Sequence, residues 1–265
     1  MDNRPIGVFD SGVGGMTVLK AMKEKLPEEN FIYLGDTKRF PYGSKSKQTI
    51  IELTKNGIDF LLKQNVKLVV IACGTATSQA LKEVQNNYQV PILGVIEPTV
   101  QYIQTKQKTK IGVIATAGTI RSRGWENAIL QQIPEAQIQS IACPLLAPMV
   151  EEGWTDNKIA KLVVKEYLKN FEKIDALILG CTHYPLLTTV IQKQLGKKVE
   201  LINAGEHVAV QTQKILQMSE QLADGHSGKI KIYLTETEEK FHQVAGQLLQ
   251  QDIIIHQVQE ETEFI

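Results

Sequence analysis

Residues 68–73 read Leu-Val-Val-Ile-Ala-Cys, and residues 177–181 read Leu-Ile-Leu-Gly-Cys. Each is a short, continuous apolar run, which is typical of a buried strand in a parallel sheet. Each run ends at a cysteine, and a threonine follows within two residues of it. Because α/β proteins build their sites at the carboxyl ends of parallel strands, we predict that Cys73 and Cys181 lie in a functional site.

The two runs belong to a longer internal repeat. Segment 6–10 (Ile-Gly-Val-Phe-Asp) returns as 111–115 (Ile-Gly-Val-Ile-Ala), an offset of 105 residues, and the two cysteines are 108 residues apart. Nearly equal offsets indicate a duplicated half, and a pseudo-two-fold axis would place equivalent strand ends on opposite sides of a cleft. The alternative is two similar strand ends in one repetitive α/β protein, with the cysteines as ordinary buried residues. The shared context favours two thiols that face one bound molecule.

The composition is that of an ordinary globular chain of 265 residues, 43% hydrophobic and 22% charged. The 29 basic and 29 acidic side chains cancel, so no net field favours nucleic acid or a membrane as partner. Residues 1–4 precede a strand-like run instead of a signal peptide, and no apolar stretch reaches the ~20 residues that span a bilayer. A cytoplasmic location is therefore predicted. Three widely spaced cysteines predict reduced thiols.

Strand-like runs alternate with amphipathic helical patterns throughout, which predicts an α/β fold of two similar domains, each a mostly parallel sheet flanked by helices. The first domain is predicted at 1–97 plus 208–265, and the second at 98–207, with the active site in the cleft between them. Strands are expected near 6–10, 31–35, 67–73, 91–96, 111–115, 136–142, 175–180 and 199–203. Helices are expected near 16–26, 47–65, 76–88, 119–132, 156–171 and 185–195.

Two crossovers and a tail complete this organisation. The segment Glu97-Pro98 is predicted as a crossover between the domains, because a residue before proline is disfavoured in a helix. A second crossover is expected near 204–207. The tail is predicted to return to the first domain through a helix, a strand, a second helix and a second strand, at 208–222, 230–234, 236–250 and 252–257.

A glycine-rich turn follows the first strand and reads Asp10-Ser11-Gly12-Val13-Gly14-Gly15. Such glycines allow a sharp turn and expose amide N–H groups at a helix start, which suits a carboxylate. The turn matches neither a phosphate loop nor GxGxxG, and a tight turn without ligand explains it equally well. Asp10 is either a helix cap or, near a thiol, a proton acceptor.

Several motifs in one order make the chain similar to a known family over nearly its whole length. Jointly they resemble the glutamate racemases, within the cofactor-independent aspartate/glutamate racemase family. The strongest are the glycine-rich turn and Gly180-Cys181-Thr182-His183-Tyr184-Pro185. The others are Gly35-Asp36-Thr37, Pro41-Tyr42-Gly43, Ala72-Cys73, Thr75-Ala76 and Gly118-Thr119-Ile120.

The resemblance implies racemisation of L-glutamate to D-glutamate for peptidoglycan synthesis, without a cofactor or a metal. Inversion needs one group to remove the α-proton from one face and a second group to return a proton to the other. By resemblance, Cys73 serves the D-enantiomer and Cys181 the L-enantiomer. Asp10 corresponds to the partner of Cys73, while His183 and Glu151 correspond to partners of Cys181. The resemblance implies a homodimer with glutamate as its small-molecule partner.

The family pattern also supplies hydroxyls and amides that are expected to hold the substrate's carboxylates and amine. They are contributed by Ser11, Tyr42, Gly43, Gly74, Thr75, Thr116, Thr119 and Thr182. Asp36 matches a position near this site, without an assigned role. Cys143 lacks the strand-end threonine pattern and is predicted to be a core residue.

Each assignment has a structural alternative. His183 is alternatively a helix-start histidine bonded to backbone, Glu151 a solvated charge at a helix end, and Tyr42 a loop-packing residue. A zinc site is poorly supported, because Cys181-Thr182-His183 has no second ligand pair at metal spacing.

The chain departs from the family at Gly74, where an asparagine usually follows the cysteine. The lost amide leaves open a racemase of aspartate or another acidic amino acid. A non-catalytic module that binds dicarboxylates or proteins is the alternative from another class. If the amide contributed to binding, Gly74→Asn is predicted to lower KM for glutamate.

Overall fold

The computed structural model describes residues 1–225, 228–237, 239–249 and 253–258. Within these ranges, a larger sheet contains strands β1 (Ile6–Asp10), β2 (Phe31–Gly35), β3 (Leu68–Ile71), β4 (Ile92–Gly94), β9 (Ile230–Leu234) and β10 (Ile255–Gln257). Its order is β10-β9-β2-β1-β3-β4, and every neighbouring pair is parallel. The tail therefore adds its strands beside β2.

A smaller parallel sheet contains β5 (Lys110–Ala115), β6 (Gln137–Ala142), β7 (Ala176–Leu179) and β8 (Glu200–Asn203), in the order β6-β5-β7-β8. The segment β2-β1-β3-β4 of the larger sheet has the same order, with β1, β2, β3 and β4 corresponding to β5, β6, β7 and β8. The prediction of two similar α/β halves is thus confirmed. The predicted domain limits, 1–97 plus 208–265 and 98–207, stay a prediction.

Helices connect and cover these strands, and several begin at a side-chain cap. The hydroxyls of Ser46 and Thr116 and the amides of Asn157 and Asn203 each accept a hydrogen bond from a backbone N–H in the first turn. The helices are α1 (Met16–Lys25), α2 (Lys47–Lys63), α3 (Gly74–Val84), α4 (Ile96–Thr105), α5 (Ala117–Ser122), α6 (Gly124–Gln132), α7 (Leu146–Glu151), α8 (Lys158–Leu168), α9 (Thr188–Leu195), α10 (Ala204–Met218) and α11 (Glu239–Leu249).

Both predicted crossovers are helical. Glu97 and Pro98 lie in the first turn of α4, where proline is tolerated because the N–H groups of that turn have no partner within the helix. Residues 204–207 form the first turn of α10, which Asn203 caps. The chain does pass between the two sheets at α4 and at α10. The argument that proline keeps Glu97 out of a helix was wrong, because it ignored the tolerance of the first helical turn for proline.

Other elements also differ from expectation. The predicted helix 119–132 is two helices, since Arg123 adopts a left-handed conformation (φ 55°) between α5 and α6. The short helix α7 was not predicted. In the tail, α11 and β10 replace helix 236–250 and strand 252–257, and positions 238, 250 and 252 lie outside the described residues.

The largest apolar core lies between the two sheets and includes residues from both. Ile6 and Val8 of β1, Ile111 and Val113 of β5, and Trp125 of α6 belong to this one cluster. Because the halves share a core, their relative position is fixed by burial as well as by the chain connections. Among the described residues, no helix is both long and apolar enough to cross a membrane.

A buried ion pair lies at the edge of the larger sheet where its strands begin, opposite their carboxyl ends. Lys67 Nζ lies 2.6 Å from Glu29 Oε2, and both side chains are at most 2% exposed. The same ammonium donates to the carbonyl oxygens of Asp2 and Gln221, at 2.5 and 2.7 Å. The pair therefore joins the start of the chain, the entry to β3 and the end of α10.

Lys67→Met is expected to lower the free energy of unfolding by about 3–5 kcal/mol, because it leaves the Glu29 carboxylate buried without a cation. Urea unfolding followed by circular dichroism measures the loss. Lys47→Met is the matched control, since Lys47 forms its ion pair with Glu83 on the exposed surface. An equal, small effect of both substitutions would contradict this role of Lys67.

Candidate active site

Both cysteines lie just beyond the carboxyl ends of equivalent strands. Cys73 follows β3 and Cys181 follows β7, the strands that pair with β1 and β5 on matching sides. Both thiols are buried, at 5% and 9% exposure. Cys73 also caps α3, since its Sγ accepts from the Ala76 N–H at 3.5 Å. The repeated strand-end position predicted from the sequence is therefore present in the fold.

The surroundings of Cys73 favour its neutral form. Burial and the nearby Asp10 carboxylate raise the pKa of this thiol to about 12, although the Ala76 N–H and the Ser11 hydroxyl partly offset the effect. The thiol donates to Ser11 Oγ at 3.6 Å. At neutral pH Cys73 is thus a protonated thiol, which is the state of a proton donor.

Asp10 is a fully buried carboxyl group at the end of β1. It accepts from the Gly12 N–H at 3.0 Å and from the Thr182 hydroxyl at 3.2 Å. Burial raises its pKa to about 6, against the opposing influence of His183 and these hydrogen bonds. Asp10 consequently exchanges a proton near neutral pH, which suits a group that assists a thiol.

The Cys181 side carries a chain of three groups. Cys181 Sγ lies 3.7 Å from His183 Nδ1, and His183 Nε2 lies 2.6 Å from Glu151 Oε1. Burial opposes a charge on His183, but its hydrogen bonds to Cys181 and Glu151 outweigh burial and raise its pKa to about 10. The imidazolium that this predicts at neutral pH stabilises a thiolate at Cys181. The two thiols therefore have different neighbours, a carboxyl group near Cys73 and an imidazole beside Cys181.

The glycines of the turn after β1 permit close packing against the second half. A Cβ on Gly14 would lie 2.4 Å from His183 Nδ1, and one on Gly15 would lie 2.3 Å from Asp10 Cβ. Side chains of the protein itself therefore pack against Gly14 and Gly15. The sequence suggested that a bound carboxylate could occupy this turn. The Tyr33 hydroxyl donates to the Gly12 carbonyl at 2.5 Å and holds the turn in place.

Three threonines from the two halves form a hydroxyl cluster. Thr75 of α3 lies 2.9 Å from Thr116 and 3.1 Å from Thr119, and the last two are 2.9 Å apart. Gly43 packs against this cluster, since a Cβ there would lie 2.6 Å from Thr116 Cβ. Hydroxyls so arranged are adaptable donors and acceptors for a carboxylate or an amine.

Tyr42 and Asp36 form a separate polar group beside the site. The Tyr42 hydroxyl donates to Asp36 Oδ2 at 2.6 Å, while Arg39 and Thr235 both donate to Asp36 Oδ1 at 2.9 Å. Asp36 thus ties the loop after β2 to the tail strand β9. In this arrangement the Tyr42 hydroxyl cannot donate to a substrate, although its oxygen can still accept a hydrogen bond.

Gly74 lies against the other half of the molecule instead of lining open space. A Cβ at this position would lie 2.3 Å from the Gly180 carbonyl oxygen. An asparagine would therefore displace backbone before its amide reached a substrate. The prediction that Gly74→Asn lowers KM overlooked this contact, because sequence alone does not show what a glycine faces.

Sequence reasoning also missed Thr17, whose hydroxyl lies 2.9 Å from the carbonyl oxygens of both Gly14 and Thr182. Its position one turn after the glycine-rich segment was the only available signal. Cys143 is buried in the same apolar cluster as Cys181, as a core residue would be. Among the described residues, no group of three or more His, Cys, Asp or Glu side chains is arranged to hold a metal ion.

Comparison with known proteins gives a consistent result. Residues 6–212 match the sequence profile of the family described as Asp/Glu/Hydantoin racemase. A glutamate racemase of Geobacter metallireducens is 40% identical over 250 residues, which are 93% of each chain.

Two solved structures are similar over almost the entire fold. A glutamate racemase isoform from Bacillus anthracis has a TM-score of 0.93 and 38% identity, covering 97% of this chain and 98% of that one. The glutamate racemase of Francisella tularensis, solved in complex with D-glutamate, has a TM-score of 0.91 and 37% identity, with the same coverage.

Proposed function

This chain belongs to the Asp/Glu/hydantoin racemase family and is an amino-acid racemase, and from that premise we propose that it interconverts L- and D-glutamate. The relatives that match nearly its full length are glutamate racemases, and one of them was solved with D-glutamate bound. The observation that carries the mechanism is the pair of buried thiols at equivalent strand ends, each with its own titratable neighbours.

In the L-to-D direction, the Cys181 thiolate removes the α-proton of L-glutamate. The electron pair of the broken C–H bond stays on the substrate as a carbanion, which is delocalised into the α-carboxylate. The Cys73 thiol then donates its proton to the opposite face, which forms the new C–H bond and leaves a thiolate at Cys73. The D-to-L direction uses the same steps in reverse.

The neighbours of each thiol suit these starting states. The pKa of about 12 keeps Cys73 protonated and ready to donate, and the His183 imidazolium stabilises negative sulfur at Cys181. To accept D-glutamate, Cys73 must first lose a proton, for which Asp10 is the available acceptor.

The substrate's charged groups need fixed partners while the carbanion exists. We assign this role to Ser11, Thr182, Gly43 and the cluster of Thr75, Thr116 and Thr119, whose hydroxyls and amides surround the strand ends. Tyr42 contributes through its ring, its backbone or its hydroxyl oxygen, since its hydroxyl proton bonds Asp36. No step requires a cofactor or a metal.

The proposed biological role follows from the resemblance to glutamate racemases. D-glutamate produced by this chain would supply peptidoglycan synthesis in the cytoplasm, and the enzyme would act as a homodimer. Neither nucleic acid nor a membrane is a proposed partner.

Incubation of the pure protein with L-glutamate in deuterium oxide, without any cofactor, tests the substrate and the reaction. The expected result is D-glutamate that carries deuterium at Cα. Proton NMR measures the loss of the α-proton, and optical rotation measures the inversion. L-aspartate is tested in parallel. If only aspartate exchanged its α-proton, the chain would be assigned as an aspartate racemase. Binding of glutamate without exchange would favour the non-catalytic module.

A further inference from the structure

A surface recess with a volume of about 390 Å³ lies where the two halves of the molecule meet. Lys45, which precedes α2, and Lys47, in the first turn of α2, line it from the first half. Arg121 of α5 lines it from the second half. Its other described lining residues are serines, a glutamine and a glycine. Three cations and no carboxylate of the described residues therefore line this space, which we call the basic recess.

Two helices run from the threonine cluster into the walls of the basic recess. The Ser78 hydroxyl of α3 donates to the Thr75 carbonyl at 3.1 Å, and the Ser122 hydroxyl of α5 donates to the Thr119 carbonyl at 2.6 Å. Both serines line the recess. Because one helical turn advances about 5.4 Å, the recess begins one turn away from the hydroxyls that we assign to the substrate.

The boundary between the recess and the cluster is thin. Gly118 lines the recess, and a Cβ on it would lie 2.7 Å from the Gly43 carbonyl oxygen and 3.0 Å from Gln79 Nε2. Gly43 in turn packs against Thr116 of the cluster. A ligand held in the basic recess is therefore separated from the proposed substrate site by a single layer of residues, at a place where the two halves touch.

Two of the three cations in the recess are not neutralised. Lys47 Nζ lies 2.8 Å from Glu83 Oε1, and more than half of each of these two side chains is exposed. Lys45 and Arg121 form no ion pair with any of the described residues. Since one of them comes from each half, their charges act on the same space from two sides. Such an arrangement attracts an anion and suits a carboxylate.

We propose that the basic recess is a collecting site for the anionic substrate, in which Lys45 and Arg121 hold a carboxylate of glutamate before it enters the cleft. This inference rests on the proposed function. Glutamate carries two carboxylates and one ammonium at neutral pH, so its net charge is negative. Two cations about 6 Å away in water concentrate a single negative charge about tenfold, and salt screens the attraction. The recess therefore assists capture of substrate and takes no part in proton transfer.

The double variant Lys45→Gln/Arg121→Gln tests the proposal. In a buffer of low ionic strength, KM for L-glutamate and KM for D-glutamate are expected to rise by the same factor, about 3- to 10-fold, with kcat unchanged in both directions. The factors are equal because the two enantiomers carry the same charge. Lys197→Gln/Lys198→Gln is the matched control, since these two exposed lysines lie just before β8, at the edge of the smaller sheet opposite the cysteines. This control is expected to keep the original KM.

Glu83→Gln changes the charge of the recess in the opposite direction. It releases Lys47 from its ion pair, so a third cation becomes available to the substrate. KM for both enantiomers is expected to fall by about threefold, again with kcat unchanged. Because the pair is exposed, its loss should leave the folded state almost equally stable, which thermal unfolding checks. A purely structural effect would not lower KM here and raise it in the double variant.

Ionic strength supplies the deciding measurement. Between about 10 mM and about 1 M potassium chloride the Debye length falls from about 30 Å to about 3 Å, so KM of the unmodified enzyme should rise. The double variant Lys45→Gln/Arg121→Gln should show a much smaller rise. If its KM and salt dependence equal those of the unmodified enzyme, or if its kcat falls, the collecting role is overturned. Absence of exchange by the unmodified chain would instead overturn the proposed function, and the inference with it.

Discussion

Cys73→Ser and Cys181→Ser are each expected to lower kcat for racemisation of glutamate by about 10²- to 10⁴-fold, in both directions. A serine hydroxyl is a far weaker acid than a thiol, so it neither forms the required anion nor delivers a proton at a comparable rate. Since each direction of the proposed mechanism uses one thiol as base and the other as acid, losing either one interrupts both. Initial rates from L- and D-glutamate, followed by circular dichroism, measure the effect.

Cys143→Ser is the control for this pair. Its thiol lies in the apolar cluster that also contains Cys181, but it donates to the Ile141 carbonyl, a bond that a serine hydroxyl can replace. Activity close to that of the unmodified enzyme is expected. Near-normal racemisation by Cys73→Ser or Cys181→Ser would remove that cysteine from the mechanism, whereas a large loss in Cys143→Ser would show that the assay reports packing around Cys181.

The sequence was informative where the chemistry lies on strand ends. Apolar runs fix the positions of parallel strands, and parallel strands place their carboxyl ends at one edge. That is why Cys73, Cys181 and Asp10 could be placed at strand ends from the sequence, and why the internal repeat predicted two similar halves, whose sheets share one strand order.

Contacts between distant segments could not be predicted in the same way. Asp36 is held by Thr235 across 199 residues, and Lys67 reaches the carbonyl of Gln221 across 154. Nothing in the local pattern of either segment marks its partner. Gly74 illustrates the same limit, because a glycine in a sequence indicates a missing side chain but not the backbone that occupies its place.

The two assisting groups lead to a second large effect, which differs between the directions. Asp10→Asn is expected to reduce kcat from D-glutamate by about 10²-fold and kcat from L-glutamate less, because Asp10 is the group that we propose takes the proton of Cys73. His183→Gln should show the opposite preference, since His183 contacts Cys181 Sγ and is proposed to stabilise an anion there. His207→Gln is the control, as His207 stacks on Tyr102 outside the site.

The equilibrium between enantiomers restricts how this asymmetry is expressed. An enzyme cannot change that equilibrium, so kcat/KM must fall by the same factor in both directions, and unequal losses in kcat require compensating changes in KM. The pH profile supplies a further signature. Because the pKa of Asp10 is about 6, kcat/KM of the unmodified enzyme should fall as pH drops through 6, where the carboxylate becomes protonated and stops accepting. In Asp10→Asn, kcat/KM should lack this acid limb, which is the fall as pH drops through 6. Equal losses of kcat in both directions for both variants, with the limb retained in Asp10→Asn, would contradict the assignment of one assisting group to each thiol.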